Sequence, residues 1–140
     1  MDKDGIQKKA KEIIASSKIF ILSTVDGEAP CSRFMASLVD EGSFSYYMET
    51  FSSARKVSQI RRNPNAQPLF FKPDYSEVVT LIGQANSAVS IEVKEKVFGA
   101  VPDSTKYFKS FKDEGFGVIE FKTNAIEYFD QNHEQHSVKV

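Results

Sequence analysis

What limits this chain most is a succession of short β-forming runs divided by turn signals, with little helical sequence between them. Lys18–Thr24 (KIFILST) is continuously apolar at its centre and leads into Asp26-Gly27, a strong hairpin signal. Ala29–Val39 (APCSRFMASLV) follows. By period-two alternation Phe34, Ala36 and Leu38 share one of its faces, and Arg33, Met35 and Ser37 the other. Asp40-Glu41-Gly42 turns the chain back, and Ser43–Met48 completes a three-strand meander. Further runs lie at Ala66–Pro73, Ser76–Ala88, Phe116–Thr123 and Ala125–Asp130. Gly83, inside the second of these, marks a bulge or barrel corner where backbone approaches too closely for a side chain. Twelve Phe and five Tyr without a Trp supply aromatic β-formers for the core. Many strands joined by short turns imply a mainly β fold, an antiparallel barrel or sandwich, and not a doubly wound one.

The helical sequence is brief. Residues 3–17 carry Ile6, Ala10, Ile13 and Ile14 on one stripe of an amphipathic helix. Ser90 caps a helix through about Gly99 with Glu92 in its first turn, and a second piece runs from Asp103 to about Phe111. The remaining helix is the unusual one. In Thr50–Pro64 (TFSSARKVSQIRRNP) two serines offer cap hydroxyls, Ala54, Val57 and Ile60 fall at helical spacing, and Asn63-Pro64 ends the run. Arg55 and Lys56 then sit in the first turn, at the positive end of the helix dipole. Cations there cost about 0.3–1 kcal/mol each unless something compensates. A bound anion is the natural compensation, because free N–H groups, a cap hydroxyl and two cations would converge on it. A solvated basic face that starts early is the other reading.

Composition removes competing functions. The 140 residues fit one domain, read as 1–130 with a loose polar tail at 131–140. The net charge of −1 does not suit nucleic acid or an anionic membrane surface. No run has signal-peptide or transmembrane character, so a cytoplasmic location is expected. The charge is uneven, however: Arg55, Lys56, Arg61, Arg62 and Lys72 lie between Glu49 and Asp74 with no acid among them. That suits a small anion better than a duplex. The single cysteine, Cys31, allows no internal disulfide and no cysteine metal cluster, and it reads as a small packed residue. Both histidines, His133 and His136, lie in the tail, leaving the body without a Ser-His or Cys-His nucleophile. Their H-x-x-H spacing lacks a supporting carboxylate pattern, so no metal site is expected. Phosphate-binding glycine motifs are missing, and carboxylates fall at turns and on exposed helix faces. Any chemistry must therefore come mostly from a cofactor.

Arg33 is the second anomaly, an isolated cation in an otherwise apolar strand. Its strand and the one leading into the basic helix belong to the same meander, so Arg33 can face the helix start. A phosphate held by Arg33, Ser53, Arg55 and Lys56 would satisfy both anomalies. The alternative is a cross-strand ion pair with a carboxylate such as Glu49.

The patterns Ser32-Arg33-Phe34-Met35, SFSYYMET, S-x-R-K-V-x-x-I-R-R-N-P over Ser53–Pro64, and VTLIGQA over Val79–Ala85 together resemble the FMN-binding split β-barrels related to pyridoxamine 5′-phosphate oxidase, in particular the general stress protein branch. The resemblance extends from about Ile13 to Phe129. It implies a six-stranded antiparallel Greek-key barrel and a homodimer with FMN at its interface. By position, Arg33, Ser53, Arg55 and Lys56 match the phosphate-binding residues, Met35 and Ala36 the backbone beside the flavin ring, and Thr50 a hydroxyl residue after the third strand. It also implies a flavin-dependent oxidoreductase acting on a small molecule. The departures are that QNHEQHSVKV has no arginine to match the substrate motif of the true oxidases, and that Val78 or a neighbour stands where they carry a polar flavin contact. Oxidation of the pyridoxine phosphates is therefore not expected. A flavin carrier or stress sensor without turnover, and a barrel holding haem or a deazaflavin, remain as alternatives.

Overall fold

The computed structural model describes residues 1–140. In chain order the elements are α1 (Lys3–Ser16), β1 (Phe20–Asp26), β2 (Ala29–Met35), β3 (Val39–Asp40), β4 (Ser45–Phe51), α2 (Arg55–Arg62), β5 (Asn65–Phe71), β6 (Val78–Asn86), α3 (Ile91–Ala100), α4 (Ser104–Tyr107), β7 (Phe116–Phe129) and β8 (Gln135–Lys139). All strand pairings are antiparallel, in the order β2-β1-β5-β6-β7-β4-β3, with β8 also on β7. The sheet is thus the antiparallel barrel expected, with eight strands instead of six. Its two ends, β2 and β3, form a seam. There Ser37 Oγ accepts from the Glu49 amide at 3.0 Å and so stitches the β2–β3 crossing to β4.

The hairpin signal at Asp26-Gly27 holds: Asp26 pairs with Ala29 around a two-residue turn whose Gly27 has φ +63°. Inside the barrel lies an apolar cluster that includes Phe20, Leu22, Met48, Phe70, Leu81, Ile119 and Phe121. Helix α1 adds its stripe of Ile6, Ala10, Ile13 and Ile14 to the same cluster. On the opposite side of β4 and β7, α3 and α4 cover a smaller cluster of Val97, Phe108, Phe116 and Val118.

The helical piece expected from Asp103 to about Phe111 is confined to the four residues of α4, and three further boundaries differ from those expected. First, the run Ala29–Val39 divides, because β2 stops at Met35 and the chain crosses the seam before β3. Second, Phe116–Thr123 and Ala125–Asp130 form one strand. The register shifts where Ile82 pairs with Ala125 and Gly83 with Thr123, leaving Asn124 as the extra residue of a bulge. A Cβ on Gly83 would fall well inside contact with the Lys122 carbonyl oxygen and within 2.9 Å of the Phe121 ring. Third, the tail is ordered. One edge of β7 pairs with β4 only over Phe116–Lys122, and β8 occupies the remainder of that edge, from Ala125 to Phe129. An open ladder edge recruits a polar strand as readily as an apolar one, because the backbone supplies the hydrogen bonds.

Candidate functional site

Helix α2 follows β4 and lies against β1, so its start stands beside the edge strand β2. Its N-cap is Ala54 and not Ser53, and no side chain caps it. The reason is a tight turn: the Ala54 amide donates to Phe51 O at 3.0 Å, while Ser52 is tied by backbone and hydroxyl to Gly115 O and Glu114 O. Ser53 is carried on the outside of that turn, exposed, with its hydroxyl bonded to nothing in the chain. As a result the amides of Arg55 and Lys56 donate to no acceptor in the protein.

Arg33 and Lys56 converge at this helix start. Lys56 is half-buried, and its ammonium donates to Thr50 Oγ1 at 3.0 Å. Arg33 reaches inward and meets no carboxylate, so the ion pair with Glu49 does not form. Its Nη1 donates to Thr24 Oγ1 at 2.6 Å, Leu22 O at 3.2 Å and Cys31 O at 3.3 Å, and its Nη2 to Gln59 Oε1 at 3.0 Å. No acidic group lies within salt-bridge distance of Arg33, Arg55 or Lys56, although the chain forms ion pairs elsewhere. Burial is the main reason that the Lys56 ammonium is held below its ordinary value, and the charge on Arg33 adds to it. Arg33 is likewise lowered, by burial first and by Arg55, with the Cys31 sulfur opposing. The three cations thus strain against each other and lack a counter-charge.

Two adjoining clefts share Lys56. The first, about 430 Å³, is lined by Cys31, Ser32, Arg33, Ala54, Arg55 and Lys56. The second, about 280 Å³, continues past Met35, Ala36, Thr50 and Phe51 to Tyr107 and Phe108 at the seam. A larger cleft lies between α2 and β6 and one of similar size beside α1, but each mixes basic residues with an acid. Only the cleft at Arg33 gathers three cations without a carboxylate. Of the residues singled out from the sequence, Arg33, Arg55 and Lys56 meet in the basic cleft, Met35, Ala36 and Thr50 line the apolar one, and Ser53 borders the helix start without facing another of them. Arg61 and Arg62 stand apart, a turn or more along α2.

The structure also adds residues that the sequence did not expose. Gln59, 2% exposed, and Thr24, 1% exposed, belong to the Arg33 network. Glu49 lines the apolar cleft with Asp103, which corrects the expectation that carboxylates keep to turns and exposed faces. Burial raises the Glu49 carboxyl above its ordinary value and Asp103 adds to this, while a 3.0 Å hydrogen bond from Ser104 opposes it. Glu77 is a second exception, buried against Lys72 and the Tyr128 hydroxyl, with Lys9 of α1 at 3.9 Å; Lys72 chiefly holds it below the usual carboxylate range. It pins α1 to the barrel, remote from both clefts. In the tail, Asp130 pairs with His136 at 2.8 Å, with Glu134 nearby; the His136 ring stacks on Tyr128, while His133 meets Phe129 only at a tilt. The carboxylates missing from the linear pattern are brought there by the β7–β8 turn.

Together these features define a small antiparallel barrel with a basic cleft and an apolar cleft along its seam. The family model for pyridoxamine 5′-phosphate oxidase matches residues 6–130, and the chain belongs to that family. General stress protein 26 of Bacillus subtilis (strain 168) is 26% identical over 132 residues, covering 90% of this chain and 89% of its own. A protein from Clostridium acetobutylicum related to that stress protein superposes with a TM-score of 0.85 at 18% identity, covering 100% of this chain and 97% of its own. The same fold appears in an FMN binding protein related to the oxidases from Nostoc punctiforme PCC 73102 (TM-score 0.70, 12% identity, 99% and 96% covered). It appears as well in a heme binding protein from Mycobacterium smegmatis (TM-score 0.79, 17% identity, 99% of this chain and 60% of that one). No helix of the chain is long and apolar enough to cross a membrane.

Proposed function

We propose that the chain is a flavoprotein that binds FMN along the seam and acts as a flavin-dependent oxidoreductase on a small molecule. The observation that carries this reading is the cluster of Arg33, Arg55 and Lys56 with no carboxylate and with two free helix amides. A terminal phosphate dianion fits this set, since it takes charge-assisted hydrogen bonds from the guanidinium, the ammonium and the amides together. The apolar cleft fits the ring system that such a phosphate would carry. Met35, the last residue of β2, and Ala36 just beyond it line the cleft, together with the exposed Phe51 and Tyr107. Bound flavin would supply hydride or electron transfer; the protein supplies the anchoring charge, the ring's apolar wall and exclusion of water.

A homodimer belongs to this reading. One cleft of about 280 Å³ is small for a tricyclic ring, below the usual lower bound of about 300 Å³ for ligand pockets. Phe34, Phe51 and Tyr107 are 71%, 50% and 63% exposed beside it, and a second copy would both cover them and close the cleft. Haem is favoured less, because neither cleft holds a histidine.

Titration of the protein with FMN, followed by loss of flavin fluorescence, tests the proposal. Lys56→Ala removes one charged hydrogen bond of about 1.5–3 kcal/mol, so affinity should fall roughly 10- to 100-fold. Wild-type protein that leaves FMN fluorescence unchanged would sink the flavin reading. Anaerobic mixing with NADH or NADPH then separates an enzyme, which reduces the flavin repeatedly, from a carrier, which does not.

A further inference from the structure

Arg33 has five N–H donors, and the manner in which they are used is unusual for a half-buried guanidinium. Such groups are commonly held by a carboxylate, which fixes the geometry but cancels the charge. Here every partner is neutral: two backbone carbonyls, the Thr24 hydroxyl and the Gln59 amide oxygen. The two side chains are themselves linked, since Thr24 Oγ1 donates to Gln59 Oε1 at 2.6 Å. Gln59 Oε1 therefore accepts from both Thr24 and Arg33, while its Nε2 faces Cys31 Sγ at 3.8 Å. The Arg33 Nε–H donates to no protein atom. All three residues sit on rigid elements: Thr24 on β1, Arg33 on β2 and Gln59 one turn after Lys56 on the same face of α2.

We propose that Gln59 and Thr24 form a neutral clamp that positions Arg33 for an anion, fixing the guanidinium without neutralising it. A carboxylate at residue 59 would hold the same geometry and spend the charge internally. An amide holds it and leaves the full positive charge, with the Nε edge, to act alongside Lys56 and Arg55. This rests on the reading of a phosphate-bearing ligand, but it makes a separate claim: the clamp acts on the phosphate end alone. Gln59 and Thr24 touch no ligand in this scheme; they are positioning residues.

The test compares FMN with riboflavin, which has the ring and no phosphate, and measures the thermal shift produced by inorganic phosphate against chloride at equal ionic strength. Gln59→Leu should weaken FMN binding on the order of 10-fold, leave riboflavin affinity unchanged and shrink the phosphate shift. Gln59→Glu guards against a folding defect, since it keeps the shape and both hydrogen bonds accepted by Oε1, giving up only the long Nε2 contact to Cys31 Sγ. It should also lose FMN affinity selectively, because its carboxylate compensates Arg33. In the Arg33→Ala background, either Gln59 change should have no further effect on FMN. Equal losses for FMN and riboflavin, or Gln59→Glu matching wild type for both, would overturn the clamp. Wild type that ignores FMN yet keeps a phosphate shift dependent on Gln59 would retire the flavin and leave the clamp standing. Wild type that responds to neither FMN nor phosphate would overturn both.

Discussion

Glu49 and Lys56 stand on either side of Thr50 in the seam and have opposite charge problems. Burial disfavours the ionised form of each, so the carboxyl is raised and the ammonium lowered. They are not paired with each other: Lys56 turns to Thr50 and Glu49 to Ser104. The raised Glu49 carboxyl has a definite consequence for stability. The folded protein holds this proton more tightly than the unfolded chain, so the contribution is fully present below the ordinary value of 4.5 and is lost as pH rises through the higher folded value. Glu49→Gln keeps an acceptor for Ser104 and carries no charge. Its Tm should therefore fall less than that of wild type as pH rises above 4.5 toward neutrality, read from melting curves across that range. Parallel curves for the two proteins would show that Glu49 is solvated like any surface acid.

Among the elements, the long strand β7 organises the molecule, since it pairs with β6 along one edge and with β4 and β8 along the other. Its bulge at Asn124 is where the two partners change over, and Gly83 is the residue opposite. There the requirement is for an absent side chain: the Gly83 φ is not positive, but the Lys122 carbonyl occupies the space a Cβ would need. Gly83→Ala must displace backbone on β7, and overpacking of this kind costs about 1–3 kcal/mol. For a domain of 140 residues that corresponds to a drop in Tm of several degrees, roughly 3–10 °C, visible by calorimetry. A change within 1 °C would mean that the bulge relaxes freely. The linear pattern marks this glycine as a bulge or barrel corner and breaks β7 in two at the residue opposite, because a bulge residue and a turn residue look alike in one dimension. The same pattern gives no sign of β8, since Gln135–Lys139 offers no apolar alternation and forms a strand only because β7 has an edge to fill.

For the molecule as a whole, the proposed homodimer turns on the apolar surface at the seam. Phe34 projects from an edge strand at 71% exposure, close to Tyr107 and Phe51, and solvated alone it would waste its apolar area. A homodimer through this face predicts that Phe34→Asp sediments as a monomer and binds FMN more weakly, with Lys56 and Arg33 untouched. A wild-type protein that sediments as a monomer at micromolar concentration would exclude a stable interface there.

The barrel itself was legible in the sequence, because period-two patterning and turn signals act over a few residues and do not depend on distant neighbours. So was the pair Arg55-Lys56, whose position at a helix start is a local violation of dipole preference. Arg33 could be recognised as unsatisfied, but its partner could not: a cross-strand carboxylate and a buried amide look equally available in one dimension. Only the tertiary fold decided that Gln59 and Thr24 hold it, that Glu49 turns away to Ser104, and that Ser53 is carried off the cap by a turn tied to Gly115. Those outcomes depend on which elements meet across the barrel. A polar side chain chooses its partner by distance in space, and residues 24, 33 and 59 become neighbours only when β1, β2 and α2 pack together.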